Sequence, residues 1–402
     1  MKVKIMLQLI GVAFNPSSLS KHNSIFIEKG NSMKLEMQTR KSVSAKLCIL
    51  AFGLFSNNLF AATDYLVTAC RPNLVVVADA KARKVIKTIE IPNTSMGNGP
   101  TGVVVSKDGK TAYVIHNRWE TVSGFDIENG KEVFRAELSS SDIRAKAPFA
   151  IDLSPDGKEL AVYVNPTRIL PGEYKVEDPY IAIFDTSSGT NAEPSKKFPA
   201  SRRITTLAYS PDYKRLYAFS WDMLILDPNT GKQIGMHPWR SWKRPNFGEP
   251  DALALWPQWD TSNVFAAPYY VQRTDKKPGQ AGALRAGIWT LDLATNKTAF
   301  KDFEDASVVL FSTTINPVRR NEAYTVYTQL TKTDMNTGKM KRVDLNHTYY
   351  DINVSTDGKE LYIGGTQDEI AVYDSKTLTR LGEIRMPNGA DQVLSSLRLF
   401  NK

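Results

Sequence analysis

Cysteine and histidine are scarce in this 402-residue chain, which has two of the first and four of the second. Cys48 falls in an apolar run near the N-terminus, so Cys70 is alone in the rest of the chain and no internal disulfide can form there. No C-x-x-C-H occurs, which excludes haem attachment through that motif. His116, His237 and His347 lie far apart, without H-x-H or H-E-x-x-H spacing, and His22 lies in the leader. A metal site built by this chain alone is therefore not expected. The nucleophile elbow, the phosphate-binding loop and the dinucleotide fingerprint are missing as well. No sustained helical period runs through the sequence after residue 62. A true excess of positive charge is lacking too. The net charge is +9, but residues 1–61 carry eight of the 51 Lys/Arg against Glu28 and Glu36, which leaves 43 cations and 40 anions beyond them. A polyanion such as nucleic acid is not implied as a partner.

What the chain does have is a phrase returning about every 40–50 residues, the length of a four-stranded repeat. It opens with a polar turn, at Ser106-Lys107-Asp108-Gly109-Lys110, Ser154-Pro155-Asp156-Gly157-Lys158, Ser210-Pro211-Asp212-Tyr213-Lys214 and Ser355-Thr356-Asp357-Gly358-Lys359. Degenerate copies start at Trp256 and Asn316. A second signature, D-x-x-x-G, follows at Asp126, Asp185, Asp227 and Asp334, with Asn296 in place of glycine after Asp292 and a further copy around Asp374. Between them lie short runs rich in Val, Ile, Tyr and Phe, as strands require. The aspartates are read as turn residues that bond their own backbone, not as catalytic carboxylates. The repeat gives six units, near 99–140, 146–200, 202–242, 249–304, 309–347 and 348–389, and an incomplete one at 64–92 that lacks an innermost strand. Leu394–Phe400 can supply that strand. The expected fold is all-β, a seven-bladed β-propeller spanning 62–402, with the C-terminal strand completing the first blade and closing the ring. Insertions near Asn165–Tyr180 and Val271–Leu284 lengthen two units and mark candidate docking loops.

Residues 1–61 are expected to combine an overlong start with a secretory signal peptide, Met33 or Met37 being the first residue. Arg40, Lys41 and Lys46 form a basic segment, Leu47–Phe55 a short apolar core, and Ala61-Ala62 a small-residue cleavage site. The apolar core is too short to span a bilayer. The expected product is periplasmic, with no membrane anchor. Cys70 lies too far from the apolar core for lipid attachment and is read as a strand residue.

Aromatic residues gather where inner strands begin. Trp239, Trp242 and Phe247 precede one such strand, and Trp256, Trp259, Tyr269 and Tyr270 follow it; Phe311 and Tyr349-Tyr350 open two others. They either line a funnel at one mouth of the central channel or pack between blades, and the sequence favours neither.

From Tyr65 to Phe400 the chain resembles the β subunit of quinohemoprotein amine dehydrogenase. The resemblance rests on Arg71-Pro72-Asn73-Leu74-Val75-Val76, Arg203-Ile204-Thr205-Thr206-Leu207-Ala208, Pro250-Asp251-Ala252-Leu253-Ala254, Ala267-Pro268-Tyr269-Tyr270, Ser312–Pro317, His347–Gly358 and Ser396-Leu397-Arg398-Leu399-Phe400. Cys70 departs from the family, where a small residue is expected. The resemblance implies a non-cofactor propeller subunit beside a di-haem cytochrome c α subunit and a small γ subunit bearing cysteine tryptophylquinone. Together these oxidise primary amines to aldehyde and ammonia, with electrons leaving through haem c. It implies no catalytic residue, cofactor or metal in this chain. Candidate contacts with the amine or the γ subunit are Phe149, Arg203, Asp251, Phe311, Tyr349 and Tyr350, all near inner-strand starts. Competing expectations are a free-standing periplasmic binding propeller, the related heavy chain of methylamine dehydrogenase, and a lactonase-like hydrolase, against which the histidine count speaks.

Overall fold

The computed structural model describes residues 63–92, 99–252, 258–306, 309–392 and 395–402. The expectations for the start codon and signal peptide fall outside the described residues, as do Leu253–Trp256 of the phrases quoted above. Seven antiparallel sheets follow one another along the chain. Their inner strands are Arg398–Asn401 for blade 1, then Val103–Val105, Ile151–Leu153, Thr206–Tyr209, Asp251–Ala252, Leu310–Ile315 and Asp351–Val354 for blades 2 to 7. Among the described residues there is no α-helix, only two 3-10 turns at Gly189–Asn191 and Pro387–Gly389.

The recurring turns form as their residue types dictate. In blade 3 the Ser154 hydroxyl donates to Asp156 Oδ1 at 2.7 Å and accepts the Glu159 amide at 2.9 Å, while the Gly157 amide reaches Ser154 O at 2.8 Å. Gly157 takes φ 74°, and Tyr213 holds the equivalent position of blade 4 at φ 57°. The Ser154 hydroxyl bond, then the Lys158 amide, hold the Asp156 carboxyl below its usual range. In the second signature Asp227 Oδ1 accepts the amides of Asn229 and Thr230 at 2.9 Å, and the Gly231 amide closes on Asp227 O at 2.8 Å. Both kinds of turn lie at the end where the inner strands finish, here the lower face.

Side chains alternating along each strand feed two different cores. In the strand Asp64–Cys70, Val67 and Ala69 pack with blade 2, whereas Leu66 and Cys70 pack with blade 7. Seven apolar clusters result, one at each junction between successive blades. Each large side chain fully buried there, such as Phe134 or Phe265, contributes roughly 1.5–3 kcal/mol by burial.

The ring closes as expected. The register is Tyr65↔Phe400, Leu66↔Leu399 and Val67↔Arg398, and the Tyr65 and Phe400 rings stack with centroids 5.3 Å apart. The closing strand is Arg398–Asn401, which begins later than the expected 394. Serine chemistry explains the difference. The Ser395 hydroxyl accepts the Ala69 amide at 2.9 Å and that of Ser396 accepts the Val103 amide at 2.7 Å, so this stretch bonds two blades through side chains instead of a ladder.

The blade 3 insertion is mostly strand, whereas that of blade 5 is mostly a loop over residues 273–283. Blade 3 carries Glu159–Leu170 paired with Glu173–Val176 on one edge and Ile143–Lys146 on the other. Arg168 pins this flap through Glu177 and Asp142, each at 2.9 Å. Blade 5 carries Val264–Gln272 and Leu284–Asp292. Both extensions join a second strand to a third, so both project from the upper face, where the inner strands start.

Candidate functional site

The inner strands bring short polar side chains to the axis, and one long cation joins them. Arg398 Nη2 meets Asp260 Oδ1 at 2.7 Å and Asp152 Oδ1 at 4.0 Å, and its guanidinium lies 5.0 Å from the Trp259 ring centre. The second Asp260 oxygen accepts Asn353 Nδ2 at 2.8 Å and the Leu399 amide at 3.1 Å. Asp351 accepts the Leu397 amide at 2.5 Å, the Ile352 amide at 2.8 Å and Gln258 Nε2 at 3.1 Å. Burial nonetheless pushes the Asp351 carboxyl well above the carboxylate range. Burial also pushes Asp152 up to about 7, against the pull of Arg398 and of the Tyr209 amide bond at 2.7 Å.

This cluster partitions the channel. On the lower side lies a cavity of ≈ 340 Å³ whose lining includes Lys107, Asp152, Tyr209, Trp259, Asp260 and Arg398. On the upper side a recess of ≈ 30 Å³ is lined by Phe149, Leu207, Gln258, Trp259, Ser396 and Arg398. Arg398 and Trp259 border both and form the partition between them. Asp152 can exchange a proton near neutral pH, but the described residues include no group of three or more His, Cys, Asp or Glu placed to hold a metal.

Around the upper mouth the candidate contacts separate into distinct settings. Phe311 sits at a register shift between Leu310 and Ser312 in the pairing of its strand. It meets Tyr350 at 4.8 Å and stacks on Tyr327 at 5.6 Å, giving a half-exposed aromatic trio. Phe149 packs on Trp119 at 6.1 Å, both half-buried. Arg203 and Asp251 are exposed charge neighbours on blades 4 and 5. Tyr349 is placed differently from the expectation of a contact residue. It is fully buried between blades 6 and 7, in the segment that leads into the strand Asp351–Val354, where its amide bonds Tyr327 O at 2.9 Å while that of Tyr350 bonds Gly364 O at 3.0 Å. Its hydroxyl donates to Glu369 Oε1 at 2.5 Å and its ring stacks on His347 at 4.0 Å. Burial alone raises the Glu369 carboxyl; the Tyr349 bond, the His347 contact at 3.2 Å and Arg380 at 3.1 Å reverse this and bring it to about 2.

No protein-family model matches the chain, and a search of curated proteins gives no match. The architecture is widely shared, with 1289 solved chains matching. A functionally unknown protein from Desulfotomaculum acetoxidans aligns with TM-score 0.53 at 10% identity, over 84% of this chain and 98% of that one. Hydrazine synthase of Kuenenia stuttgartiensis aligns with TM-score 0.47 at 15% identity, over 78% and 90% of the two chains. Apo AztD of Citrobacter koseri aligns with TM-score 0.47 at 12% identity, over 85% and 98%. The likeness is one of fold alone.

Within this propeller, sequence reasoning missed the axial cluster and Tyr327. A signal for Tyr327 existed: it ends the second strand of blade 6 opposite Leu310, so hairpin pairing alone sets it beside Phe311. Arg398, Asp260 and Asp152 come from three blades with no local motif to announce them.

Proposed function

We propose that this chain is the propeller subunit of a periplasmic quinohemoprotein amine dehydrogenase, as the sequence resemblance implies. The observation that carries the reading is the upper face. Both insertions and the aromatic trio Phe311, Tyr327 and Tyr350 belong to it, and the matching phrases around Arg203, Asp251 and Tyr350 border it. Such a face suits a rigid platform that seats a partner and covers its reactive centre.

The chain's own residues fit this division of labour. Cys70 is buried and burial pushes its thiol up to about 12, so it offers no reactive sulfur for a cross-linked cofactor or a haem. The quinone, on the small partner, would supply the oxidation of the amine. The propeller would exclude water from that chemistry and present half-exposed rings to the substrate. An ammonium ion is attracted to ring faces by cation–π interaction, about 0.5–2 kcal/mol each, and its alkyl chain by apolar burial. The axial cluster would keep the channel shut beneath the pocket, so that solvent reaches it from one side only.

The test is purification of the tagged protein from periplasm, read by visible spectrum and intact masses. A c-type haem spectrum, with a haem-bearing chain and a small mass-shifted chain, supports the reading. A colourless protein running alone while the partner chains are expressed refutes it. That outcome would favour a free-standing binding propeller, for which the ≈ 340 Å³ cavity of the lower mouth has the size of a small-ligand site.

A further inference from the structure

The lower cavity lies on the face opposite the aromatic trio, and an acid without a close cation stands at its inner end. Asp260 is fully matched, with Arg398 Nη2 at 2.7 Å on one oxygen and both Asn353 Nδ2 and the Leu399 amide on the other. Asp351 accepts two amides and Gln258 Nε2, and it is not part of the cavity wall. Asp152 is part of that wall. Its Oδ2 accepts the Tyr209 amide at 2.7 Å, whereas Oδ1 has Arg398 Nη2 at 4.0 Å, the outer limit of an ion pair.

Neither cation of the cavity wall is free to complete Asp152. Arg398 is held by Asp260 and lies 5.0 Å from the Trp259 ring centre, so turning toward Asp152 would strip Asp260 of its partner. Lys107, the other cation, is exposed on the turn after the inner strand of blade 2. Burial is the largest influence on the Asp152 carboxyl and pushes it up to about 7. Arg398 and the amides of Tyr209 and Leu153 pull it down, and Asp260 pushes it further up. A carboxyl in that state is about half ionised near neutral pH, and a cation arriving at Oδ1 would complete its ionisation.

The cavity has room for that cation and for a short chain behind it. Its ≈ 340 Å³ is about ten times the share of liquid volume that one water molecule takes, roughly 30 Å³. Leu153, Pro155, Pro211 and Phe400 give it apolar wall, and both prolines lack the N–H that would ask for an acceptor there. Asp152 and Asp260 are the only carboxylates of the wall, and Asp260 is already taken. A divalent metal, which gathers several charged oxygens, is therefore poorly served. An alkylammonium needs one carboxylate for its charge and apolar surface for its chain, and water can meet its remaining N–H donors.

We propose that the lower cavity binds a small primary alkylammonium, its charge seated on Asp152 Oδ1 and its alkyl chain against Leu153, Pro155 and Pro211. The site belongs to this chain alone and is independent of the amine dehydrogenase assembly. Ligand and proton compete for one carboxyl, so each ammonium bound at low pH releases the proton that Asp152 carried.

The experiment titrates butylamine into the purified protein by calorimetry, with butanol and butyrate as neutral and anionic counterparts of the same chain length. Butylammonium should bind with a Kd on the order of 1 mM, and the other two at least about tenfold more weakly. It keeps its charge near neutral pH, as a lysine side chain does, so the pH dependence belongs to Asp152. Affinity should rise about tenfold from about pH 6 to about pH 8, as a carboxyl titrating near 7 goes from about a tenth to about nine tenths ionised. At the lower pH nearly one proton should leave per ligand, read from the heat difference between buffers of unlike ionisation enthalpy. Asp152→Asn, which keeps an oxygen for the Tyr209 amide, should abolish binding. Butanol binding as well as butylammonium would reduce the cavity to an apolar pocket, and tighter butyrate would make it an anion site; either overturns the proposal. Binding that survives Asp152→Asn, or that does not change with pH, would place the ammonium elsewhere, the upper aromatic trio included, and overturns it too. No binding by wild type overturns it while leaving the amine dehydrogenase reading intact, because that reading is decided by the co-purifying chains.

Discussion

Asp152 gives the most direct test of the axial cluster. Its carboxyl is buried at the channel waist and pushed from 3.8 up to about 7, with Arg398 too far, at 4.0 Å, to hold it ionised. A group whose folded pKa is raised binds a proton more tightly when folded, so stability falls as pH rises from the unfolded value through the folded one. The whole shift corresponds to about 4 kcal/mol, and the part lying between about pH 5 and pH 8 to roughly 2–3 kcal/mol. Asp152→Asn removes this term and keeps an oxygen to accept the Tyr209 amide. The assay is the difference in melting temperature between variant and wild type, measured at both pH values so that every other titrating group cancels. The variant should gain about 5 °C relative to wild type on moving from the lower to the higher pH, at about 2 °C per kcal/mol. A difference that does not change with pH would show that water reaches this carboxyl and would refute the sealed-waist argument.

Arg398→Met leaves Asp260 buried without its 2.7 Å partner and should cost about 3–5 kcal/mol in urea unfolding; adding Asp260→Asn should restore much of it. Cys70, with its thiol pushed up to about 12, should resist iodoacetamide in the folded protein and react fully in urea, followed by intact mass. Phe311→Ala with Tyr350→Ala should raise the KM for primary amines severalfold in the assembled enzyme without changing assembly. Tyr349→Phe should instead leave KM alone and lower stability by about 1–2 kcal/mol through loss of the Glu369 bond.

The blades were legible because their determinants are local. A serine, an aspartate and a glycine within five residues specify one turn wherever they occur, and the same phrase marks the inner strand before it. The mouth was legible only to within a residue. Tyr349 and Tyr350 are neighbours in sequence, yet one lies in the core between blades and the other joins Phe311, and no local property of the two distinguishes them. The axial cluster was not legible at all. Asp152, Asp351 and Arg398 each stand in an ordinary strand context and Asp260 in a turn, and their meeting depends on the closed ring, a property of the whole chain. The insertions were read correctly as lengthened units, but the cross-strand bonds that turn the blade 3 insertion into paired strands, such as Arg168 to Glu177, become visible only once the hairpin is paired.

Ring closure and axial neutrality depend on the same four residues. The strand Arg398–Asn401 supplies both the edge that blade 1 lacks and the cation that Asp260 requires. A chain ending short of Arg398 would leave the strand Asp64–Cys70 with a bare edge and the waist with uncompensated acids at the same time. The two faults reinforce each other, so a truncated product has no half-stable form in which to persist. The C-terminal strand thereby works as a clasp that joins edge pairing to charge compensation.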